Sequence, residues 1–319
     1  MKIAFIGECM AELRDAGEGK LKQSYAGDVY NSAVYLKRTF ANCEVEFLSA
    51  VGQDKISLGM LDHAKREHVS TRFMTLSEKQ TIGLYQIHTD DAGERSFTYW
   101  RSASAAKQMF SAKEHGNPEQ HIETLATTLQ EFDMVMFSGI TLAILEPESR
   151  VQFWQLLDLL KRSSVQIIFD VNYRPVLWES ERRAQDVITQ ACRYADILLP
   201  GVEDFTALFD LHSAQDIMHF CRDFDLKELV IKNGSGSVHY VDAEGSTNEV
   251  SLTPATSVVD TTSAGDAFNG VYLGARLHSM KMVEAIKLAS RCSAFVIQHK
   301  GAIVDGAAYA DFCRSLHGA

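Results

Sequence analysis

The chain has 319 residues, 46% of them hydrophobic and 23% charged, which supports one large core and excludes a disordered or fibrous protein. Lys and Arg number 31 against 42 Asp and Glu, a formal charge of −11, the wrong sign for a protein whose main partner is a phosphate polymer. No nucleic-acid partner is expected, and an anionic ligand must be met by a few placed cations inside a site.

The six cysteines, at 9, 43, 192, 221, 292 and 313, form no CxxC and have no His at metal-ligand spacing, so they read as reduced thiols. The longest apolar run, 135–145, is broken by Ser138, Gly139 and Thr141 and falls short of the ~20 residues a membrane span needs. Only four apolar residues separate Lys2 from Gly7, too few for the core of a signal peptide. A cytoplasmic protein with no membrane partner is the expectation.

In chain order, residues 3–6 are a short apolar run that stops at Gly7, and 12–25 is polar and Gly-containing. Helical spacing follows over 31–40 and an apolar run over 45–50. Within 81–101, the alternating segments 83–87 and 96–100 around Asp90-Asp91-Ala92-Gly93 predict a β-hairpin. Apolar runs at 134–137, 165–169, 197–199 and 229–231 then alternate with helical patterns at 149–161 and 182–194. Continuous apolar strands between amphipathic helices predict an α/β, doubly wound parallel sheet covered on both faces. Ligands in such sheets bind beyond the C-terminal strand ends, so the polar residues that close each run are the first candidates for chemistry. The chain reads as a single domain, 1–319, with a small β-flap built from about 9–27 and 80–101 as a lid over the pocket, the alternative for the hairpin being a plain sheet edge.

The sharpest signal is Asp260-Thr261-Thr262-Ser263-Ala264-Gly265-Asp266-Ala267-Phe268, which leads into the apolar segment 269–275. Small residues at a helix start aim the amides of 264–266 at one spot with the helix dipole behind them, an anion hole made by Ala264, Gly265 and Asp266. A carboxylate repels a phosphate there unless it takes the proton of an attacking hydroxyl, which makes Asp266 a candidate base; the alternative is an ordinary helix cap.

This stretch resembles the second signature of the ribokinase-like (PfkB-type) carbohydrate kinases, with Ser263 where the first Gly of Gly-Ala-Gly-Asp is common. The family's first signature, Gly-Gly-Asp-x-x-Asn-x-Ala, is matched by Ala26-Gly27-Asp28-Val29-Tyr30-Asn31-Ser32-Ala33. Further segments extend the likeness over nearly the whole chain and narrow it to members acting on a sugar acid: 6–10, Gly83-Leu84-Tyr85, Tyr99-Trp100-Arg101, Ser138-Gly139-Ile140, 169–175 and Lys300-Gly301-Ala302-Ile303.

The resemblance implies a ribokinase-like three-layer fold with a mostly parallel sheet, and ATP-dependent phosphorylation of a sugar acid. It implies ATP and Mg²⁺ as cofactors, admits a monovalent cation, and suggests a homo-oligomer paired through flap edges. It places Gly27, Asp28 and Asn31 on the sugar hydroxyls, although Asp28 could instead cap the following helix. Tyr85 and Tyr99 would line the pocket, with Glu12 where relatives carry a substrate-facing acid. A carboxylate substrate in an acidic protein needs a local clamp, and Arg101 and Arg174 are its candidates; each could instead be a surface stacking residue or a partner of an acid. Asn172, Lys232, Gly234, Ser235, Gly236, Thr262, Ser263, Ala264 and Gly265 would lie along ATP, although the Gly-rich turn of 232–237 also suits a plain hairpin. The family's Asn-x-x-Glu segment, linked to magnesium and phosphate, is poorly matched by Gly201-Val202-Glu203-Asp204, so the metal contacts are unknown. The alternatives are a kinase for a neutral ketose or another sugar acid, and a non-catalytic sugar-acid sensor. An oxidoreductase is disfavoured, since no GxGxxG follows the first strand.

Overall fold

The computed structural model describes residues 1–89 and 95–317. Strand β1 (Lys2–Ile6) carries the first apolar run. The polar segment that follows is paired throughout: β2 (Met10–Asp15) and β3 (Leu21–Ala26) form an antiparallel hairpin, turned by Gly17 and Gly19 at φ 79° and 71°, a backbone region that favours glycine. Helix α1 (Asp28–Thr39) comes next. The run expected as one strand at 45–50 is split at Ser49: β4 (Glu44–Leu48) pairs with β1, whereas β5 (Ala50–Gly52) turns away, past α2 (Lys55–Arg66), to pair with β6 (Thr75–Ser77). Strands β7 (Gly83–Thr89) and β8 (Arg95–Trp100) form the expected hairpin; the turn predicted at 90–93 lies outside the described residues.

Strand and helix then alternate through α3 (Ala112–His115), α4 (Pro118–Leu129), β9 (Met134–Ser138), α5 (Gly139–Ile144), α6 (Pro147–Lys161), β10 (Gln166–Asp170), α7 (Glu181–Tyr194), β11 (Ile197–Leu198), α8 (Val202–Phe209), α9 (Ala214–Cys221) and β12 (Glu228–Asn233). Local chemistry starts these helices: Pro opens α4 and α6, and the Asn117, Ser180 and Ser213 side chains accept from first-turn amides of α4, α7 and α9. The chain closes with β13 (Ser237–Val241), β14 (Thr247–Ser251), α10 (Ala264–Leu277), α11 (Met282–Val296) and α12 (Gly306–His317).

The main sheet has the order β14-β13-β12-β11-β10-β9-β1-β4. It is parallel from β4 to β12, and β13 and β14 extend it as an antiparallel edge. Its faces feed separate cores. Ile3 and Phe5 pack with residues of α1, α10 and α11, while Ala4 and Ile6 pack with residues of α4, α6 and α7. Side chains alternate between faces along a strand, so burial on both sides is what makes these runs continuously apolar. A second sheet, β3-β2-β7-β8, springs from the C-terminal end of β1 and is seated by Met10, Ala26, Tyr85 and Ile87 against Ala302. Among the described residues no helix is long and apolar enough to cross a membrane.

Candidate active site

The C-terminal ends of β1, β9 and β10 lead into Glu8, Ser138 and Asp170, all buried, and the N-termini of α1 and α10 join them. Two glycines four residues apart let these helices approach. A Cβ on Gly270 would overlap the Ser32 carbonyl oxygen, and one on Gly274 would overlap the Phe40 ring. Because α1 and α10 touch, Asn31 Nδ2 donates to Asp266 Oδ2 at 2.8 Å, and Ser263 Oγ donates to the same oxygen at 3.1 Å. The two signatures thus meet through a hydrogen bond spanning most of the sequence.

Asp266 is the third residue of α10, behind Ser263 at the cap, and its side chain does not cap the helix. Burial drives its carboxyl from the ordinary 3.8 to about 8, the charges of Asp28 and Asp170 add to the rise, and the bonds from Asn31 and Ser263 oppose it. The Ala264 amide already donates to the Thr261 carbonyl at 3.2 Å. That leaves the Gly265 and Asp266 amides to open the helix toward an anion, a narrower hole than three residues would give. Asp260 holds this turn: its Oδ1 accepts from Thr262 N at 3.0 Å and its Oδ2 from Gly301 N at 2.8 Å.

Asp28 begins α1 behind Gly27, which occupies the cap position without a side-chain bond, so the capping alternative does not hold. Its Oδ2 accepts from Asn172 Nδ2 at 2.9 Å. Burial raises its pKa and the Asp170 charge adds to this, against a hydrogen bond from Ser138. A Cβ on Gly27 would overlap the Glu8 carbonyl, so glycine lets the first signature lie against the root of the small sheet.

The flap residues are engaged with acids that spacing did not pair. Arg101 Nη2 donates to Glu8 Oε2 and Ser104 Oγ to Glu8 Oε1. The Arg101 side chain is 13% exposed and Glu8 2%, which excludes a surface stacking role. Tyr85 donates its hydroxyl to Glu12 Oε2, and burial, foremost, with the Glu12 charge raises the phenol's pKa. Glu12 also accepts from Ser24 Oγ at 2.8 Å and pairs with Arg14 Nε at 2.9 Å, so it is consumed inside the flap. Tyr99 lies opposite Tyr85 with ring centroids 5.9 Å apart and is 48% exposed.

On the remaining side, Lys232 Nζ donates to Asp170 Oδ1 at 3.0 Å and Asn269 Oδ1 at 3.1 Å, and lies 3.9 Å from where a Cβ on Gly265 would stand. A cation is therefore parked at the mouth of α10. Gly234, Ser235 and Gly236 form the turn of the β12–β13 hairpin, with Gly234 at φ 55°. Arg174 is 56% exposed, 4.0 Å from Asp204. Glu8, Asp170 and Gly270 are the site residues that motif reading missed. The first two close strands, the position that marks a ligand site in such sheets, and Gly270 with Gly274 shows the spacing of a helix contact.

The arrangement is a buried carboxyl at a helix N-terminus, a lysine held beside it and buried polar side chains at the root of a small sheet. The family model described as pfkB family carbohydrate kinase matches residues 1–307. The 2-dehydro-3-deoxygluconokinase of Haemophilus influenzae is 36% identical over 307 residues, 95% of this chain and 96% of that protein. The protein of the same name from Escherichia coli K12 is also 36% identical, over 95% and 97%. Among solved structures, aminoimidazole riboside kinase from Salmonella enterica, complexed with aminoimidazole riboside and an ATP analog, superposes with a TM-score of 0.80 at 20% identity, covering 100% of both chains. With the signature residues brought together by α1 and α10, and the family match running over nearly the whole length, the chain belongs to the pfkB family of carbohydrate kinases.

Proposed function

We propose that the protein transfers the γ-phosphoryl group of ATP to the C6 hydroxyl of 2-keto-3-deoxygluconate, giving the 6-phosphate and ADP. The observation that carries the phosphoryl transfer is Asp266: a buried carboxyl with its pKa raised to about 8, set beside helix amides that favour an anion. A base that holds protons this strongly accepts one readily from an alcohol. Asp266 takes the hydroxyl proton as the new O–P bond forms and the bond to the β-phosphate oxygen breaks, with ADP leaving. The Gly265 and Asp266 amides and Lys232 stabilise the charge of the group in transit. Gly27, Asp28 and Asn31 hold the sugar, and Tyr85 and Tyr99 close it from the flap, a lid that excludes water. ATP runs along Asn172, Lys232, Gly234, Ser235, Gly236, Thr262 and Ser263.

Magnesium fits this site as a passenger of the nucleotide. Among the described residues no three His, Cys, Asp or Glu side chains converge on a cation site, and Mg²⁺ binds by few carboxylates, several waters and substrate phosphates. Asp170, a buried acid at the end of β10 whose Oδ1 receives Lys232, would be the residue to hold it. When bound it neutralises charge on the β- and γ-phosphates.

The substrate carboxylate is read from the arginines and supported by the named relatives. Arg101 Nη2 donates to Glu8, and the substrate carboxylate would lie on an edge of the same guanidinium, met by the second Nη2 hydrogen beside Nε or Nη1, while Arg174 adds a second donor. The test is a coupled assay with Mg²⁺-ATP on 2-keto-3-deoxygluconate, an analogue without the carboxylate, fructose, ribose and gluconate. Strong preference for the keto acid is expected. Preference for a neutral sugar keeps the kinase and removes the clamp, and tight binding of the acid without turnover points to a sensor.

A further inference from the structure

Asp204 stands where the family's Asn-x-x-Glu segment ends in its acid, yet its geometry is that of a brace. Its Oδ2 accepts from Gly201 N at 3.2 Å, closing the first turn of α8. Its Oδ1 accepts from Tyr173 N at 2.9 Å. Both oxygens are thereby turned onto backbone amides. The other end of the same loop is pinned by Asn172, a non-glycine residue at φ 29° whose side chain is tied to Asp28. Between these pins, Arg174 Nη1 folds back onto the Tyr173 carbonyl at 3.1 Å, 4.0 Å from Asp204 Oδ1. A single exposed ion pair at that distance contributes little. The hold on Tyr173 is the stronger link: Asp204 takes its amide, and its carbonyl, in the next peptide, receives the guanidinium.

We infer that Asp204 is a positioning residue for Arg174, fixing the loop that presents this arginine to the substrate carboxylate, and that it does not serve the metal. The inference rests on the sugar-acid reading above. A glutamate here could still reach the Gly201 amide, as capping-box glutamates do, but its extra methylene would carry the other oxygen past the Tyr173 amide, so the shorter Asp suits cap and loop brace together.

The experiment compares the full-length wild type with Asp204→Asn, Asp204→Ala, Asp204→Glu, Arg174→Ala and the double variant Arg174→Ala/Asp204→Asn. KM is measured for the sugar acid and for ATP, with the Mg²⁺ activation midpoint, and a melting curve checks folding. Loss of the brace should raise KM for the sugar acid by about tenfold, leaving KM for ATP and the Mg²⁺ midpoint within about twofold of wild type. Asp204→Asn, which keeps one acceptor, should fall between wild type and Asp204→Ala. Asp204→Glu should behave like Asp204→Ala, and the double variant should be no worse than Arg174→Ala, since a residue acting through Arg174 has nothing further to lose. A shifted Mg²⁺ midpoint, a wild-type-like Asp204→Glu, or additive losses would overturn the inference. If Asp204→Ala does not fold, the Asn and Glu variants decide by the same readouts. Normal sugar-acid KM in Arg174→Ala overturns the sugar-acid clamp and this inference together; an impaired Arg174→Ala beside normal Asp204 variants overturns the inference alone.

Discussion

Asp266→Asn should make the free protein more stable while nearly abolishing turnover. The folded protein keeps a proton on this carboxyl up to about pH 8, whereas the unfolded chain releases it near 3.8. Between those values the native state binds more protons than the unfolded one, so stability contributed by this group falls as pH rises through that window and then levels off. Each pH unit in the window costs about 1.4 kcal/mol, so at pH 7 the total is about 4 kcal/mol before the site relaxes. The amide is nearly isosteric, stays neutral in both states and can still accept from Asn31 and Ser263. A realised gain of about 2–4 kcal/mol at pH 7 follows, equivalent to a rise of roughly 3–6 °C in melting temperature for a chain of this length.

Thermal melts of both proteins without ligand, at pH 4.5 and pH 8, provide the assay. The two should nearly coincide at the acid end and separate as pH rises. Turnover of the same variant should fall by roughly 10²–10⁴-fold. A variant less stable than wild type at pH 8, or a gap that does not widen with pH, would refute the electrostatic argument. Turnover close to wild type would refute the base.

Three other outcomes can be checked. In a pH series, kcat/KM should rise with pH along an acid limb centred near pH 8, because the free enzyme's base is protonated below its pKa of about 8; a limb centred near 4 would show an unperturbed carboxylate. Arg101→Ala should raise KM for the sugar acid by about 10–100-fold, the loss expected from charge-assisted hydrogen bonds, and leave KM for ATP nearly unchanged; an equal rise for both substrates would remove Arg101 from the clamp. Gly270→Ala should lower stability by about 1–3 kcal/mol in a urea melt and reduce kcat, because the new methyl drives α1 from α10 and separates Asn31 from Asp266; an unchanged melt would mean the helix contact adapts freely.

The main sheet was largely legible because burial on both faces leaves a plain mark, a run such as 3–6 with no polar residue in it. The split at Ser49 was not, since 45–50 reads as one strand-forming run and only the partners of β4 and β5 differ. The hairpin at 10–26 was hidden for the opposite reason: its residues are largely polar, and its order comes from pairing with β7 and from the Glu12 network rather than from alternation. In the site, Asp28, Asn31 and Asp266 could be read from local motifs. Their companions could not. Glu8 and Arg101 lie 93 residues apart, Asp170 and Lys232 62, and Tyr173 and Asp204 31, so each pair is a product of topology.

Those pairings bear on how the proposed clamp would recognise a sugar acid. Free arginines in a chain of charge −11 would have suggested selection by net positive charge, yet Arg101 is matched by Glu8. Glu8 is almost fully buried against the guanidinium, and the guanidinium is held in one orientation because Glu8 and the end of β8 fix it. On the reading that Arg101 meets the substrate carboxylate, pairing with Glu8 removes its surplus charge, and what it would offer is a held guanidinium edge, the second Nη2 hydrogen beside Nε or Nη1. Such a site distinguishes a planar carboxylate from a hydroxyl by geometry, and partial burial shields it from salt. KM for the sugar acid should therefore depend only weakly on ionic strength, whereas a clamp working through surplus charge would lose affinity steeply between low and physiological salt.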